Sequence, residues 1–374
     1  MMNVSTHIKT FRYKLQPNCA QRRVLSHTLD VCRELYNMGL EQRRSQRIGQ
    51  FEQMRQLTQL KQVFPEYKEV YGHVLQNVFK KLDRSFQNFF RRCKQGGAPG
   101  FPRFKGKDRY DSFQFNNTGF SLNEKYLSIS KVGNVKLRLS RPLPEDAVVK
   151  TCSIKRSVSG WFATLTFEHT PIPLPATDLA VGIDVGIENF AALSDGTMIP
   201  NPRFYECGQS ELRVAQRRVA KRKKGSHRRR QAVVLLKKCH ERIANRRMDF
   251  LHKATTRLVR KFGTIVVENL NVKGLAQGIL SKQVHDAGWS TFFNFLSYKA
   301  AEAGTREVVG TPAPYTSQEC PACGHKEKKP LSQRKHVCSE CGYTAHRDTA
   351  AAQVILSRAG QARRALRQGV LAHA

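Results

Sequence analysis

The run Leu179-Ala-Val-Gly-Ile-Asp184-Val is continuously apolar except for one carboxylate. A strand without a polar face is buried on both sides, as in a parallel sheet covered by helices. A second run, Thr264-Ile-Val-Val-Glu268, repeats the pattern, β-branched residues ending in a single acid. A buried, unpaired carboxylate is costly, so each acid should meet something cationic. Between Phe190-Ala-Ala-Leu and Met198-Ile-Pro, the sequence Ser194-Asp195-Gly196 is a hairpin signal, which makes Asp195 a turn former rather than a ligand. Farther on, Trp289, Phe292, Phe293, Leu296 and Ala300 keep helical spacing, and Arg306-Glu-Val-Val-Gly310 reads as a strand. His346-Arg347-Asp348 then opens an Ala-rich helix with a third carboxylate in its first turn.

Two buried strands and one helix start can bring Asp184, Glu268 and Asp348 to a single point. Three clustered carboxylates cannot all ionise without cations between them. Mg²⁺ is the natural cation, because it is held by few carboxylates while phosphate and water complete its shell. Two such ions about 3.5–4 Å apart clamp the attacking and leaving oxygens of a phosphodiester displacement.

Four of the ten cysteines form two CxxC-Gly knuckles, Cys320-Pro-Ala-Cys323-Gly and Cys338-Ser-Glu-Cys341-Gly, with fourteen residues between them. Thiolates at this spacing can take the corners of a Zn²⁺ tetrahedron, and the Gly after each pair lets the turn close. A four-thiolate site is closed, so the zinc is structural and does no chemistry. Two disulfides fit a cytosolic chain poorly. The six remaining cysteines read as reduced thiols without a special role.

The first half has a different texture. Residues 7–15 alternate like a strand, and Asn18 with Gln21 forms a candidate capping box for a helix carrying Leu25, Leu29, Cys32 and Tyr36. A second helix near 73–94 places Leu75, Val78, Phe79, Leu82, Phe86, Phe89 and Phe90 on one side, where they read as core rather than a base-stacking platform. A Gly- and Pro-rich break at 96–102 leads into short alternating segments from about 111 to 170, the pattern of a small antiparallel β-barrel or sandwich. The first strand should join that sheet, which makes the helices an insertion. Pro171, Pro173 and Pro175 mark a linker.

Lys and Arg number 64 against 29 acids, a formal charge of +35. Self-repulsion on that scale calls for a polyanionic partner and argues against a small-metabolite enzyme. Nineteen Lys or Arg stand against Glu241 and Asp249 between Leu212 and Lys261, broken at Gly225-Ser226, which reads as a cationic helical hairpin. No apolar run approaches the ~18 residues of a membrane span. The N-terminal stretch has no apolar signal core, so secretion is not expected and a cytoplasmic place is.

The chain resembles the TnpB (OrfB) proteins of insertion-sequence transposons, relatives of type V CRISPR effectors. The resemblance covers nearly the whole chain and rests on residues 182–196 (GIDVGIENFAALSDG), 266–275 (VVENLNVKGL), 286–300 (DAGWSTFFNFLSYKA), 315–325 (YTSQECPACGH) and 338–352 (CSECGYTAHRDTAAA). It implies that Asp184, Glu268 and Asp348 are the RuvC-type carboxylates holding Mg²⁺. It also implies that Cys320, Cys323, Cys338 and Cys341 hold the zinc of a ribbon inserted before the last of them. Two positions depart from the pattern: Ala350 stands where Asn is common, and Glu188 where the family is often basic or polar. The implied activity is RNA-guided DNA cleavage. A guide RNA from the transposon end would pair with double-stranded target DNA next to a transposon-adjacent motif, leaving a 5′ phosphate at the cut, with no membrane and no obligate protein partner involved.

The expected architecture is multidomain, α+β and α/β: a β (wedge) barrel with a helical insertion, then an RNase H-like RuvC domain with an inserted zinc ribbon. The boundaries are residues 1–16 for the first wedge strand, 17–97 for the helical insertion and 98–175 for the rest of the wedge. RuvC segments follow at 176–314 and 345–358, with the ribbon at 315–344 and a tail at 359–374. Phosphate contacts are expected from Arg103, Lys105 and Lys107 and, on the hairpin, from Arg217, Lys221, Lys224, Arg228 and Arg229; such contacts carry affinity but no sequence reading. Groove contacts to the adjacent motif are expected from Gln76, Asn77, Lys80, Lys81, Asn116 and Asn117. Two rival readings are an RNA-independent transposase or resolvase and a non-cleaving repressor. No helix-turn-helix domain for binding transposon ends is identifiable, which counts against the first; the intact carboxylate trio counts against the second.

Overall fold

A computed structural model describes residues 6–330 and 332–371, with side chains described as far as residue 360. The chain divides into two units after Thr170.

The first unit begins with β1 (His7–Gln16), continues through helices α1 (Cys19–Ser45), α2 (Gln50–Val63), α3 (Glu66–Glu69) and α4 (Gly72–Lys94), and returns to sheet. The later strands are β2 (Ser112–Phe115), β3 (Phe120–Leu122), β4 (Tyr126–Ile129), β5 (Gly133–Arg138), β6 (Val148–Ser157) and β7 (Gly160–His169). β1 lies between β7 and β5, antiparallel to both, so the helices leave and re-enter one seven-stranded sheet ordered β2-β6-β7-β1-β5-β4-β3. No described ladder joins β2 to β3, so the hydrogen bonding is that of an open sheet rather than a closed barrel. Alternation decides which face is buried: Phe11, Tyr13 and Leu15 of β1 and Trp161, Ala163, Leu165 and Phe167 of β7 point into the core shared with α1 and α4.

The capping box of α1 forms as its sequence predicts. Asn18 Oδ1 accepts the Gln21 N–H at 2.8 Å, and Gln21 Oε1 accepts the Asn18 N–H at 3.1 Å. On α4, Val74, Leu75, Val78, Phe79 and Leu82 are buried. The expected core stripe ends there: Phe86 is only partly buried, and Phe90 is 56% exposed. Phe86 and Phe89 meet Phe101 of the following loop instead.

In the second unit β8 (Ala180–Val185), β9 (Asn189–Leu193) and β10 (Met198–Pro200) form an antiparallel meander. An antiparallel pair of helices, α5 (Phe204–Ala220) and α6 (His227–Lys261), leads to β11 (Thr264–Glu268), which runs parallel to β8. Helices α7 (Val272–Leu275), α8 (Ser281–Ala287) and α9 (Trp289–Ala303) lead to β12 (Glu307–Thr311), parallel to β11. The sheet order is β10-β9-β8-β11-β12. A small hairpin of β13 (Lys335–Val337) and β14 (Thr344–His346) precedes α10 (Arg347–Leu371). Val181, Ile183, Ile265 and Val267 pack against α6 and α9, whereas Val266 packs with Ile355 and Ala359 of α10 on the other face.

α10 extends to Leu371, where the sequence reading ends the helix at 358 and expects a tail at 359–374. Ala, Arg, Leu and Gln are strong helix formers, and Gly360 alone does not stop a helix. Residues 372–374 lie outside the described residues.

Gly182 is where α10 crosses β8. A Cβ there would lie 2.0 Å from the Ala352 carbonyl oxygen and 2.9 Å from the Leu356 nitrogen, both backbone atoms. Gly182→Ala must therefore push α10 off the sheet. The expected cost is about 3 kcal/mol, the upper end for overpacking because backbone cannot rotate away. Urea unfolding of the variant measures it; an unchanged midpoint would show that the crossing is not tight.

Among the described residues no helix is long and apolar enough to cross a membrane.

Candidate carboxylate and cysteine sites

Alternation along the parallel strands aims the acids. Ile183 and Val267 are register partners, so Asp184 and Glu268 are the next pair along. Each lies two residues beyond one that meets α10, Gly182 and Val266, and therefore shares its face. Asp348 sits in the first turn of α10, one turn before the Ala352 that touches Gly182. The three acids thus meet at one end of the sheet.

Electrostatics records the meeting. Burial, then the negative charges of Glu268 and Asp348, push the Asp184 carboxyl well above the ordinary range, with Arg347 pulling the other way. Burial also raises Glu268, while a hydrogen bond from Thr316 and the charge of Arg358 oppose it. These are hard oxygen donors with too little positive charge among them, a donor set that fits Mg²⁺.

Residues without an assigned role in the sequence reading hold this cluster. Thr316 is buried, and its Oγ1 lies 2.5 Å from Glu268 Oε1, donating to it. Arg358 of α10 donates to the carbonyls of Pro312 and Pro314 and pairs with Glu319 at 2.7 Å, so it grips the loop carrying Thr316. Arg347 donates to the Pro330 carbonyl at 2.7 Å. Thr316 lies inside the quoted stretch YTSQEC, but nothing local distinguishes it from any hydroxyl near a turn. Asp195 is indeed a turn residue: it accepts the Thr197 N–H and pairs with Lys261 at 2.9 Å. Ala350 is buried, and Glu188 pairs with Arg334 of the cysteine-bearing segment.

The four knuckle thiols converge with every Sγ within 4.8 Å of the others. Cys320 and Cys341 are 3.7 Å apart, and Cys323 and Cys338 are 3.6 Å apart. A tetrahedron with Zn–S of about 2.3 Å has edges of about 3.8 Å, so the thiols fit one zinc. Gly324 and Gly342, after each pair, adopt φ of 77° and 71°, which a glycine takes without strain. The Cys341 N–H lowers the Cys338 thiol to about 6, whereas burial and the neighbouring sulfurs raise Cys323 and Cys341.

The expected nucleic-acid contacts divide into free and engaged groups. Arg217, Lys221, Lys224 and Arg228 are exposed on the α5–α6 hairpin, as are Arg103, Lys107, Lys80 and Asn117 in the first unit. Gln76, Lys105 and Asn116 are half-buried. Three of the expected contacts are bonded within the fold. Arg229 donates to the carbonyls of Val219 and Arg222 and so closes the end of α5. Asn77 donates to the Gln114 carbonyl at 2.8 Å and to Asn116, tying α4 to β2. Lys81 has its ammonium 4.2 Å from the Tyr110 ring centroid and 3.4 Å from the Ser112 carbonyl.

Comparison with known proteins now identifies the class. Residues 164–278 match the family described as "Probable transposase" and residues 289–355 that described as "Cas12f1-like, TNB domain". A Streptomyces pristinaespiralis protein named "Putative RNA-guided DNA endonuclease" is 35% identical, covering 97% of this chain and 92% of its own length. "Putative RNA-guided DNA endonuclease InsQ" of Escherichia coli (strain K12) is 29% identical, covering 94% and 92%. The solved "Cas12f1-sgRNA-target DNA complex" has a similar fold, with a TM-score of 0.54 at 14% identity over 90% of this chain and 82% of that one. The fold is therefore a mixed α/β multidomain one of the Cas12f1 kind. Within that class the chain belongs to the TnpB (OrfB) family.

Residues 2–48 also match a family described as "Helix-turn-helix domain", contrary to the expectation that none is identifiable. The described part of that segment is β1 followed by a single helix of 27 residues, so its periodicity carries no second helix to detect.

Proposed function

We propose that the chain is a transposon-encoded RNA-guided DNA endonuclease that hydrolyses DNA phosphodiesters next to a transposon-adjacent motif. The observation that carries this reading is the meeting of Asp184, Glu268 and Asp348 at one end of the β8–β11 sheet in a chain of net charge +35. The strand order β10-β9-β8-β11-β12, an antiparallel meander followed by two parallel strands, supports an RNase H-like, RuvC-type domain. The cysteine cluster supports a zinc ribbon between β12 and α10. β1 within the seven-stranded sheet supports a wedge domain with a helical insertion.

On this reading Asp184, Glu268 and Asp348 hold Mg²⁺, which when bound supplies the clamp on the attacking and leaving oxygens. Thr316 fixes one oxygen of Glu268 and leaves the other free to face the site. The cationic face of the α5–α6 hairpin meets phosphate backbone. Replacing Arg217, Lys221, Lys224 and Arg228 with Gln should lower the slope of log affinity against log salt for single-stranded RNA by about 3, at ~0.7 per lost contact. Arg229→Gln should leave the slope unchanged and loosen the hairpin. A filter-binding salt series checks both, and an unchanged slope in the fourfold variant would remove the hairpin from the interface.

The deciding experiment is to express the chain with its native flanking DNA and sequence the RNA that co-purifies. A discrete RNA running from the transposon end, able to direct cutting of matched DNA, is the expected result. A second reading, an RNA-independent transposase, is favoured by the match at residues 2–48. It predicts cutting of transposon ends by the protein alone, which would displace the guided reading.

A further inference from the structure

Beyond the buried stripe of α4, four aromatic rings gather at the protein surface. Phe86 and Phe89 each pack edge-on against Phe101, with ring centroids 5.5 and 5.3 Å away, and Phe89 meets Phe90 at 5.2 Å. Phe90 remains 56% exposed and Phe101 44%. The loop carrying Phe101 is not there by accident of mobility. The Gly97 N–H donates to the Arg92 carbonyl at 3.1 Å, and the Arg92 guanidinium donates to the Gly100 carbonyl at 3.1 Å, folding the loop back onto the end of α4. Three residues on, Phe104 is 45% exposed, with the Arg44 guanidinium 5.4 Å from its ring centroid.

Hydrogen bonds therefore hold apolar rings against water, at a cost that scales with the exposed apolar area. Residues 84–107 contain seven Lys or Arg and no Asp or Glu, and of the two acids that flank them Asp83 is paired with Arg43 and Asp108 with Arg156. Rigid, exposed rings edged by cations are what an unpaired strand needs, bases stacking on the rings while phosphates meet the cations. A duplex keeps its bases stacked inside, whereas RNA presents unpaired bases in loops and ends without being opened first.

We infer that the aromatic face formed by Phe89, Phe90 and Phe101 is a stacking platform for unpaired bases of RNA. The inference rests on the reading that RNA is a partner of this chain and adds where its unpaired bases are held. It gives the last turns of α4 a role that the buried stripe does not.

The test uses the full chain and a 12-nucleotide RNA carrying 5-iodouridine, which crosslinks on irradiation to aromatic rings stacked on it. Crosslinks at Phe90 or Phe101, located by mass spectrometry, are the expected result. A Phe90→Ser/Phe101→Ser variant should bind the same RNA about 10-fold more weakly or worse, at ~1–3 kcal/mol per stacked base, with an unchanged salt slope. Both residues are exposed, and equal thermal melting of variant and wild type checks that the fold persists. The inference is overturned if no crosslink falls within residues 84–107 or if the variant binds unpaired RNA as wild type does. It is equally overturned if the variant loses paired RNA to the same extent, or loses single-stranded DNA but not RNA. None of these readouts involves cleavage, so an inert carboxylate site would leave the result standing, and a failed platform would leave the nuclease reading standing.

Discussion

If Asp184, Glu268 and Asp348 hold the metal as proposed, replacing Asp184 with Ala should reduce guided DNA cleavage by about 1,000-fold or more, because the several kcal/mol such a site supplies would be lost with one of its carboxylates. RNA binding should be unchanged, since Asp184 faces α10 and belongs to no cationic surface. Asp184→Asn should be as inactive, yet more stable than wild type without divalent ions. The sign follows from linkage: the folded-state pKa of Asp184 is raised, so its favourable contribution is complete below the unfolded value of about 3.9 and is lost as pH rises through the folded value. Asn has no proton to lose. Thermal melts in chelator should show the Asn variant above wild type at pH 7.5 and the two converging near pH 4, with Mg²⁺ stabilising wild type alone. Equal melting at both pH values would mean that Asp184 carries no electrostatic burden, and the metal-site reading would lose its physical basis.

The second large effect concerns zinc. Binding at a four-thiolate site contributes on the order of 10–16 kcal/mol of local folding free energy. Cys338→Ser should abolish a stoichiometry of one zinc per chain and open residues 315–344 to limited proteolysis. The consequence should reach the carboxylates, because Thr316 and Glu319 lie in the loop leading to Cys320. Cleavage should fall by about 10- to 100-fold, the range seen when the partner that orients a metal ligand is lost. Thr316→Val should reproduce the fall with zinc retained. If zinc leaves and cleavage persists, the cysteine-bearing segment does not support Glu268.

How much of this was legible depends on whether a residue acts locally or across the fold. The Asn18–Gln21 cap is a four-residue event, and the sequence states it completely. Asp184 and Glu268 stand out in the sequence because a lone acid in a buried strand is anomalous, whereas Asp348 opens a helix. α2 buries only Gln53 and Leu57, so it leaves no apolar stripe to read. Arg229, Asn77 and Lys81 bond to the fold, and a cation or amide so engaged is spelled like one facing a ligand. Phe90 shows the limit of periodicity, which gives the side of a helix but not where its cover ends. Thr316 and Arg358 act through contacts 48 and 39 or more residues away, which no local pattern carries.

The crossing of α10 over β8 also sets a schedule. Asp184 and Asp348 are separated by 348 − 184 = 164 residues, and Arg358, which grips the Thr316 loop, comes ten residues later still. A ribosome making this chain completes the basic surfaces and two of the acids long before it makes the third. If these acids cut DNA, a nascent chain can hold nucleic acid beside the ribosome but cannot break it. On that reading competence waits for α10 to leave the ribosome, and a fragment cut short before α10 keeps the basic hairpin but lacks the third acid.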